Sequence, residues 1–199
     1  MAADTSDRIR GRVAYRPSPH TRFNRVARLA WSLVWIVLFR TSPKPAHAWR
    51  RMLLRLFGAR LGRGAVVHAS ARVWAPWNLE MGEFSSLAPF VDCYSVAPIR
   101  LGRCVSVSQY SFLCTATHDI ESADMRLVTA PINLGDHVWI AADVFVAPGV
   151  RFGEGAVAGA RAAVFKDVPD WTVVTGNPAK PLRLRGRAIA GNLTMGVAL

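Results

Sequence analysis

One histidine stands where a regular pattern in the sequence breaks off, and it is the first candidate for chemistry. His118 directly precedes residues 119–131, which fit none of the repeats on either side of them. A histidine side chain exchanges a proton near neutral pH, and functional residues gather on loops that a rigid scaffold holds. A lone histidine is also common in a structural role. Its position makes His118 a candidate catalytic residue and leaves the structural alternative open.

The cysteines give less support for chemistry. They are odd in number and show no C-x-x-C spacing: Cys93, Cys104 and Cys114. This usage argues against a disulfide framework or a zinc site and for a reducing compartment. We expect all three to be small buried residues in the walls of the fold. No serine or cysteine nucleophile with a paired base is evident.

The regular pattern is a repeat of six residues that runs from Leu134 to Val168. Its first position is apolar in every hexad: Leu134, Ile140, Val146, Phe152, Ala158 and Val164. Its fifth position is small and apolar: Val138, Val144, Val150, Ala156, Ala162 and Val168. A helix would spread such a period around its whole circumference. A chain that turns a corner every six residues keeps each set on the inside, so the repeat predicts a β-solenoid.

The repeat also divides the chain into regions. Hexads begin at Leu61, lose register near residues 77–78 and 94–98, and return at Leu101. We predict a solenoid domain over residues 61–175 with an excursion loop at 119–131. A closing segment and a basic tail follow over residues 176–199. The polar, basic leader over residues 1–20 is predicted to be disordered.

Residues 21–60 predict an N-terminal helical extension. The apolar run over residues 29–39 is too short for the roughly 20 residues of a membrane-spanning helix. Either it packs on the solenoid or a neighbouring subunit, or it lies in a membrane interface with Trp31, Trp35 and flanking arginines at the headgroups. A second helix places four apolar residues on one face, with three arginines off that face: Trp49, Met52, Leu53 and Leu56, and Arg50, Arg51 and Arg55. We expect this helix to cover the open end of the solenoid, and the alternative is an exposed basic face toward anionic lipid.

The positive charge sits on an arm and not on the predicted domain. Of the net +12, residues 1–60 contribute thirteen Lys or Arg and two Asp. Residues 61–182 contain nine basic and eleven acidic side chains. Because a nucleic-acid binder usually displays basic surface on its folded module, no nucleic-acid partner is expected.

Several segments together resemble the hexapeptide-repeat acyltransferases. They are Cys114-Thr-Ala-Thr-His-Asp119, Pro131-Ile-Asn-Leu-Gly-Asp-His-Val-Trp-Ile140, Pro148-Gly149, Val164-Phe-Lys-Asp-Val168 and Gly176-Asn-Pro-Ala179. Within that family the chain looks like the galactoside, maltose and nodulation-factor acetyltransferases. It is most similar to the colanic acid biosynthesis acetyltransferases, which have a segment like Trp49–Gly58 just before the repeat. The resemblance covers residues 49–185 well and 20–48 loosely.

The resemblance implies a fold, an activity and an assembly. The fold is an all-β, single-stranded, left-handed parallel β-helix with an N-terminal helical extension. The activity is O-acetyl transfer from acetyl-CoA, without a metal, in a homotrimer with active sites between subunits. His118 matches the general base, and an imidazole suits the removal of a proton from an attacking hydroxyl. We expect a cytoplasmic enzyme, peripheral at the inner face of the membrane if residues 21–60 contact it.

The resemblance also assigns binding positions. Seven positions match those that bind CoA: Trp139, Ala142, Ala160, Phe165, Lys166, Lys180 and Arg183. The three cations among them are suited to the nucleotide phosphates. A backbone N–H near Ala141–Ala142 is the simplest oxyanion donor. Asp119 is a candidate to orient His118, although neighbours on a strand point to opposite faces.

The acceptor side departs from the family pattern. The polar residues of the sugar enzymes are replaced here by Ala88 and by Val96 or Ser95, which leaves Asp92 and Tyr94 as substitutes. A sugar hydroxyl in exopolysaccharide biosynthesis is the predicted acceptor. The alternatives are a non-sugar acceptor and a non-catalytic or metal-binding solenoid, either carbonic-anhydrase-like or a scaffold. His68, His118 and His137 lack the matching spacing for zinc.

Overall fold

The computed structural model describes residues 21–186. The chain winds into a three-sided β-solenoid of about six turns, and each turn places one short strand on each of three parallel sheets. The predicted solenoid fold is therefore confirmed. The leader over residues 1–20 and most of the basic tail, residues 187–199, lie outside the described residues.

The three sheets are called faces A, B and C. Face A contains β1 (Arg60–Leu61), β4 (Leu79–Met81), β7 (Ile99–Leu101), β12 (Ile132–Leu134) and β15 (Arg151–Phe152). Face B contains β2 (Val66–Val67), β5 (Ser86–Leu87), β8 (Ser106–Val107), β13 (Trp139–Ile140), β16 (Val157–Ala158), β18 (Thr172–Thr175) and the antiparallel β19 (Lys180–Leu184). Face C contains β3 (Arg72–Val73), β6 (Asp92–Tyr94), β9 (Phe112–Cys114), β14 (Phe145–Val146) and β17 (Ala163–Val164).

The two predicted rows of the hexad form the core. All twelve residues at the first and fifth positions from Leu134 to Val168 are at most 4% exposed. The first-position side chains point inward from the strands, and the fifth-position residues fill the space just before each strand begins. Removing both rows from water is the main stabilising contribution of the repeat.

The loss of hexad register is visible in the spacing between paired strands. On face A, Leu61 pairs with Met81 and Met81 with Leu101, which is a spacing of 20 residues. Leu134 and Phe152 show the regular spacing of 18. The first surplus is accommodated at the 3-10 turn Pro76–Asn78 and the second near residues 95–98. Between Leu101 and Leu134 the spacing rises to 33, because an insertion leaves the wall there.

A glycine column allows the coils to stack closely at the corner between faces A and B. A Cβ atom on Gly82 would lie 2.5 Å from the backbone of Gly102. A Cβ atom on Gly102 would lie 2.7 Å from the amide nitrogen of Asp136. Any larger residue would push neighbouring coils apart and weaken their strand pairing.

The N-terminal helices cover the first coil. Helix α1 (Arg22–Val34) continues into a π-helical turn (Trp35–Phe39), and α2 (His47–Leu56) follows. The first coil has no preceding strand, so its carbonyls need other donors. Those of Val73, Ala71, Val67, Ala65 and Leu61 accept hydrogen bonds from Trp31, Trp35, Arg50, Arg51 and Arg55, respectively.

One detail of the predicted helices is wrong, and for Trp31 and Trp35 the structure favours packing on the solenoid over the membrane interface. The buried face of α2 contains Arg50, Leu53 and Leu54, whereas Trp49 and Met52 are about 40% exposed. Arg50 turns inward because the carbonyl of Val67 needs a donor. The indoles of Trp31 and Trp35 donate to the solenoid, so they do not lie at lipid headgroups.

Within residues 21–186, no helix has both the length and the apolar character required to cross a membrane.

The predicted excursion is an ordered β-hairpin. Strands β10 (Ala116–His118) and β11 (Leu127–Thr129) pair antiparallel, with Ala116 opposite Thr129 and His118 opposite Leu127. The excursion thus begins earlier than predicted, because residues 116–118 pair with the returning strand. Thr117, which fits the fifth hexad position, is exposed on this hairpin.

Candidate active site

The hairpin fixes the orientation and tautomer of His118. The Nδ1 atom lies 2.5 Å from the carbonyl oxygen of Met125 across the hairpin. A carbonyl can only accept a hydrogen bond, so Nδ1 carries the proton of the neutral ring. The lone pair of Nε2 is then available, and the side chain is exposed. His118 is thereby prepared to accept a proton at Nε2.

Asp119 stabilises the hairpin and does not contact His118. Its Oδ2 atom lies 2.9 Å from Nη2 and 3.0 Å from Nε of Arg126. Its amide donates to the carbonyl of Arg126, and its Oδ1 accepts from the amide of Glu121. Because Arg126 follows Met125, the ion pair holds the segment that supplies the carbonyl to His118. Asp119 can act on His118 only indirectly.

The cysteines are poorly suited to nucleophilic chemistry. Cys93 and Cys114 are buried as predicted, and burial raises the pKa of both thiols. The Cys114 thiol donates to the carbonyl of Ala116. The expectation that all three cysteines are buried is wrong for Cys104, which is exposed. It occupies a corner with a φ of 56° and therefore lies outside the wall.

A first group of predicted CoA residues lies on face B and on the corner between faces B and C. Ala142 and Ala160 occupy the same corner position on successive coils, because Ile140 pairs with Ala158. The amide of Arg161 donates to the carbonyl of Ala142 at 2.9 Å and ties these coils together. Trp139, 47% exposed, begins β13 beside this corner. The small side chains leave the corner backbone accessible to an extended ligand.

The closing strand adds two cations to the first group. Trp139 is opposite Val157, Val157 opposite Val173, and Val173 opposite Arg183. Trp139 and Arg183 therefore share one row of face B, three strand spacings or about 14 Å apart. Lys180 pairs with Thr175 beside the same corner, and both cations are exposed.

A second group lies at the corner between faces C and A, from which the hairpin departs. Cys114, Ala147 and Phe165 occupy equivalent positions on three successive coils. Phe165 is 55% exposed, and the exposed Lys166 follows it. His118 comes four residues after Cys114. The structure thus separates Phe165 and Lys166 from the first group by the width of face C.

The acceptor candidates also lie on face C. Asp92 is opposite Phe112, and burial raises its pKa, an effect that Arg72 partly offsets. The Tyr94 ring packs 5.6 Å from Trp74 and 6.2 Å from Phe112. Both residues are half-buried beside the strand that leads into the hairpin.

The predicted residues therefore do not converge within one chain. His118, Phe165, Lys166, Asp92 and Tyr94 lie on face C and its corner with face A. Trp139, Ala142, Ala160, Lys180 and Arg183 lie on face B and its corner with face C. Within one chain, the two groups therefore lie on different edges of the solenoid.

Sequence reasoning missed two contributors to the site. The Met125 carbonyl is a backbone group, and no residue type signals it. The pair of Asp119 and Arg126 carried a signal, since opposite charges lie symmetrically about the turn. The oxyanion donor was predicted near Ala141–Ala142. The N–H of Ala141 already donates to the carbonyl of Ala158, so the N–H of Ala142 is the remaining candidate of the two. Within residues 21–186 there is no group of three or more His, Cys, Asp or Glu that could hold a metal ion.

Comparisons with known proteins identify the family. No family model matches the chain. A protein of Escherichia coli K12 with the provisional name colanic acid biosynthesis acetyltransferase WcaF is 41% identical over 155 residues, covering 78% of this chain and 85% of that protein. A maltose O-acetyltransferase from Clostridium difficile 630 superimposes with a TM-score of 0.77 at 26% identity, covering 84% of this chain and 90% of the other.

A third comparison concerns the fold alone. The hexapeptide-repeat acetyltransferase VCA0836 of Vibrio cholerae, solved in complex with acetyl-CoA, has a TM-score of 0.77 at 24% identity. It matches over 86% of this chain and 93% of its own. The solenoid fold and the 41% identity to WcaF over most of both chains show that the chain belongs to the hexapeptide-repeat acetyltransferases, a family of enzymes.

Proposed function

We propose that the protein transfers the acetyl group of acetyl-CoA to a sugar hydroxyl in exopolysaccharide biosynthesis, with His118 as the general base. The observation that carries this proposal is the bond from His118 Nδ1 to the Met125 carbonyl, which leaves Nε2 as the acceptor. The relationship to WcaF supports the polysaccharide context. Acetyl-CoA as donor and a cytoplasmic location form part of the same proposal.

The chemistry is a direct transfer. The sugar hydroxyl oxygen attacks the thioester carbonyl as Nε2 takes its proton. The new C–O bond replaces the C–S bond, and the proton on Nε2 passes to the departing CoA sulfur. No covalent intermediate on the enzyme is needed, which agrees with the raised thiol pKa of Cys93 and Cys114.

The first group of residues is suited to bind acetyl-CoA. The pantetheine arm lies along the corner of Ala142 and Ala160, where small side chains allow contact with backbone groups. Trp139 supplies an exposed ring. Lys180 and Arg183 attract the nucleotide phosphates, as does Lys166 from the other edge. On the acceptor side, Asp92 and Tyr94 are assigned to the sugar.

The separation of the two groups supports a homotrimer. We assign the His118 edge of one subunit and the Trp139 edge of the next to one active site. Closed rotational symmetry brings the same two edges together at every interface. Three equivalent sites result, each incomplete without its neighbour.

The first experiment tests the general base. Removing a general base typically costs about 10²–10⁴-fold in rate. We expect a loss in this range for His118→Ala, measured as transfer of labelled acetyl from acetyl-CoA to a panel of sugars. Thr117→Ala on the same hairpin is the matched control and should retain activity. Full activity of His118→Ala would refute the proposal; transfer only to non-sugar hydroxyls would refute its acceptor.

The second experiment tests the shared site. His118→Ala and Arg183→Gln chains, each of low activity alone, are refolded together in equal amounts. Random mixing pairs an intact His118 edge with an intact Arg183 edge at about a quarter of interfaces, so that fraction of activity should return. No recovery in mixed assemblies would show that one chain contains the whole site.

A further inference from the structure

Helix α1 and the π-helical turn after it are apolar on two opposite sides. Trp31 and Phe39 face the solenoid and are 2% and 0% exposed. The opposite side carries a second apolar row, here called the outer ridge. Its members are 55–82% exposed: Phe23, Val26, Leu29, Leu33, Ile36 and Val37.

The packing of α1 on the solenoid does not explain the apolar character of the outer ridge. A helix on a protein surface normally turns polar residues outward and keeps one apolar stripe for the core. At 100° per residue, Val26, Leu29 and Leu33 lie nearly opposite Trp31. Face A shows the ordinary pattern, since its outward side chains include the ion-paired Arg60, Glu80 and Arg100. A contiguous apolar row of this length indicates a binding surface.

The charge around the ridge identifies its partner. Residues 21–60 contain nine Lys or Arg and no Asp or Glu. Several of these cations serve the solenoid, as Arg50 does, but Arg22 and Arg25 are exposed on α1 beside the ridge. A second copy would bring the same positive charge against this surface. An anionic surface would be attracted to it.

We propose that the outer ridge binds an anionic lipid surface. The 18 residues from Arg22 to Phe39 lie in the plane of the interface. The ridge inserts among the acyl chains near the headgroups, and Arg22 and Arg25 meet lipid phosphates. The opposite face stays on the solenoid through Trp31 and Trp35. This inference does not depend on the proposed acceptor.

The test is flotation of the full chain with lipid vesicles. Vesicles of phosphatidylcholine alone are compared with vesicles containing about 30 mol% phosphatidylglycerol. The full chain should bind the anionic vesicles, and Leu29→Gln/Leu33→Gln should bind them at least about tenfold more weakly. The control is Leu182→Gln/Leu184→Gln on β19, whose leucines are at least about as exposed, at 63% and 73% against 64% and 58% for Leu29 and Leu33, and its binding should be unchanged.

Three outcomes would overturn the proposal. The first is a full chain that does not bind anionic vesicles. The second is equal binding by the ridge variant and the β19 control. The third is a chain whose oligomer becomes smaller when the ridge is substituted, because the ridge would then join copies. Arg22→Gln/Arg25→Gln tests the charge separately, and it should weaken binding to anionic vesicles only.

Discussion

Arg50 is a buried cation at the junction between the helices and the solenoid. Its side chain is 1% exposed and its guanidinium donates to five acceptors. These are the carbonyls of Val67, Pro43 and Lys44, the hydroxyl of Ser42 and Nδ1 of His47, at 2.7–2.9 Å. The arginine therefore joins α2, the segment before it and the first coil.

Replacement by methionine isolates the polar contribution, because methionine keeps most of the aliphatic stem. The substitution leaves the Val67 carbonyl buried without its donor. A buried acceptor that loses its donor costs about 1–3 kcal/mol, and each hydrogen bond to a charged group contributes about 1.5–3 kcal/mol. We expect Arg50→Met to lower the free energy of unfolding by about 3 kcal/mol or more.

Urea unfolding at fixed protein concentration, followed by tryptophan fluorescence, measures this change. The control is Arg60→Met, whose side chain is 81% exposed and paired with Glu80 on face A. An exposed ion pair contributes about 0–1 kcal/mol, so the control should lose little. Losses that agree within about 1 kcal/mol would refute the reasoning, because the buried bonds would then contribute no more than an exposed pair.

Three other predictions concern pH, the hairpin and the coil spacing. Burial, followed by neighbouring cations, lowers the pKa of His47 and His68, so the unfolded chain binds these protons more tightly. Stability to urea should therefore fall as pH decreases below about 6.5, and His47→Asn/His68→Asn should flatten that dependence. Asp119→Asn should lower kcat by up to about fivefold with little change in the KM for acetyl-CoA, and exchanging Asp119 and Arg126 should restore it; an unchanged kcat would contradict the role of the pair. Gly102→Ala should cost about 1–3 kcal/mol in urea unfolding, and no loss would mean that the coils can separate freely.

The solenoid could be predicted because a chain that turns a corner every six residues needs the same residue types at the same positions of every hexad. Each hexad buries an apolar residue at its first and fifth positions, as Leu134 and Val138 show for the first hexad of the run. The losses of register were equally readable, since a surplus of two residues shifts every later hexad. The seven CoA positions came from a family resemblance, whereas the position of His118 at the break in the repeat had already made it a candidate. Their roles stay predictions.

The hairpin and the helix contacts could not be predicted in detail. The pairing of His118 with Leu127 depends on a turn that lacks an Asn-Gly signal. The inward turn of Arg50 depends on a carbonyl that is unpaired only because the first coil has no predecessor. Sequence reasoning also treated the apolar run as either packed or exposed. Residues 22–39 have one side that packs on the solenoid and an opposite side that is exposed.

The spacing of 33 residues between Leu101 and Leu134 has a consequence for how such an enzyme can diversify. The hairpin enters and leaves at one corner, and the coils before and after it pair as if nothing intervened. Its length and sequence can change without altering the packing of any coil. Exchanging this segment between relatives should therefore change the surroundings of His118 while the coils of the scaffold keep their pairing.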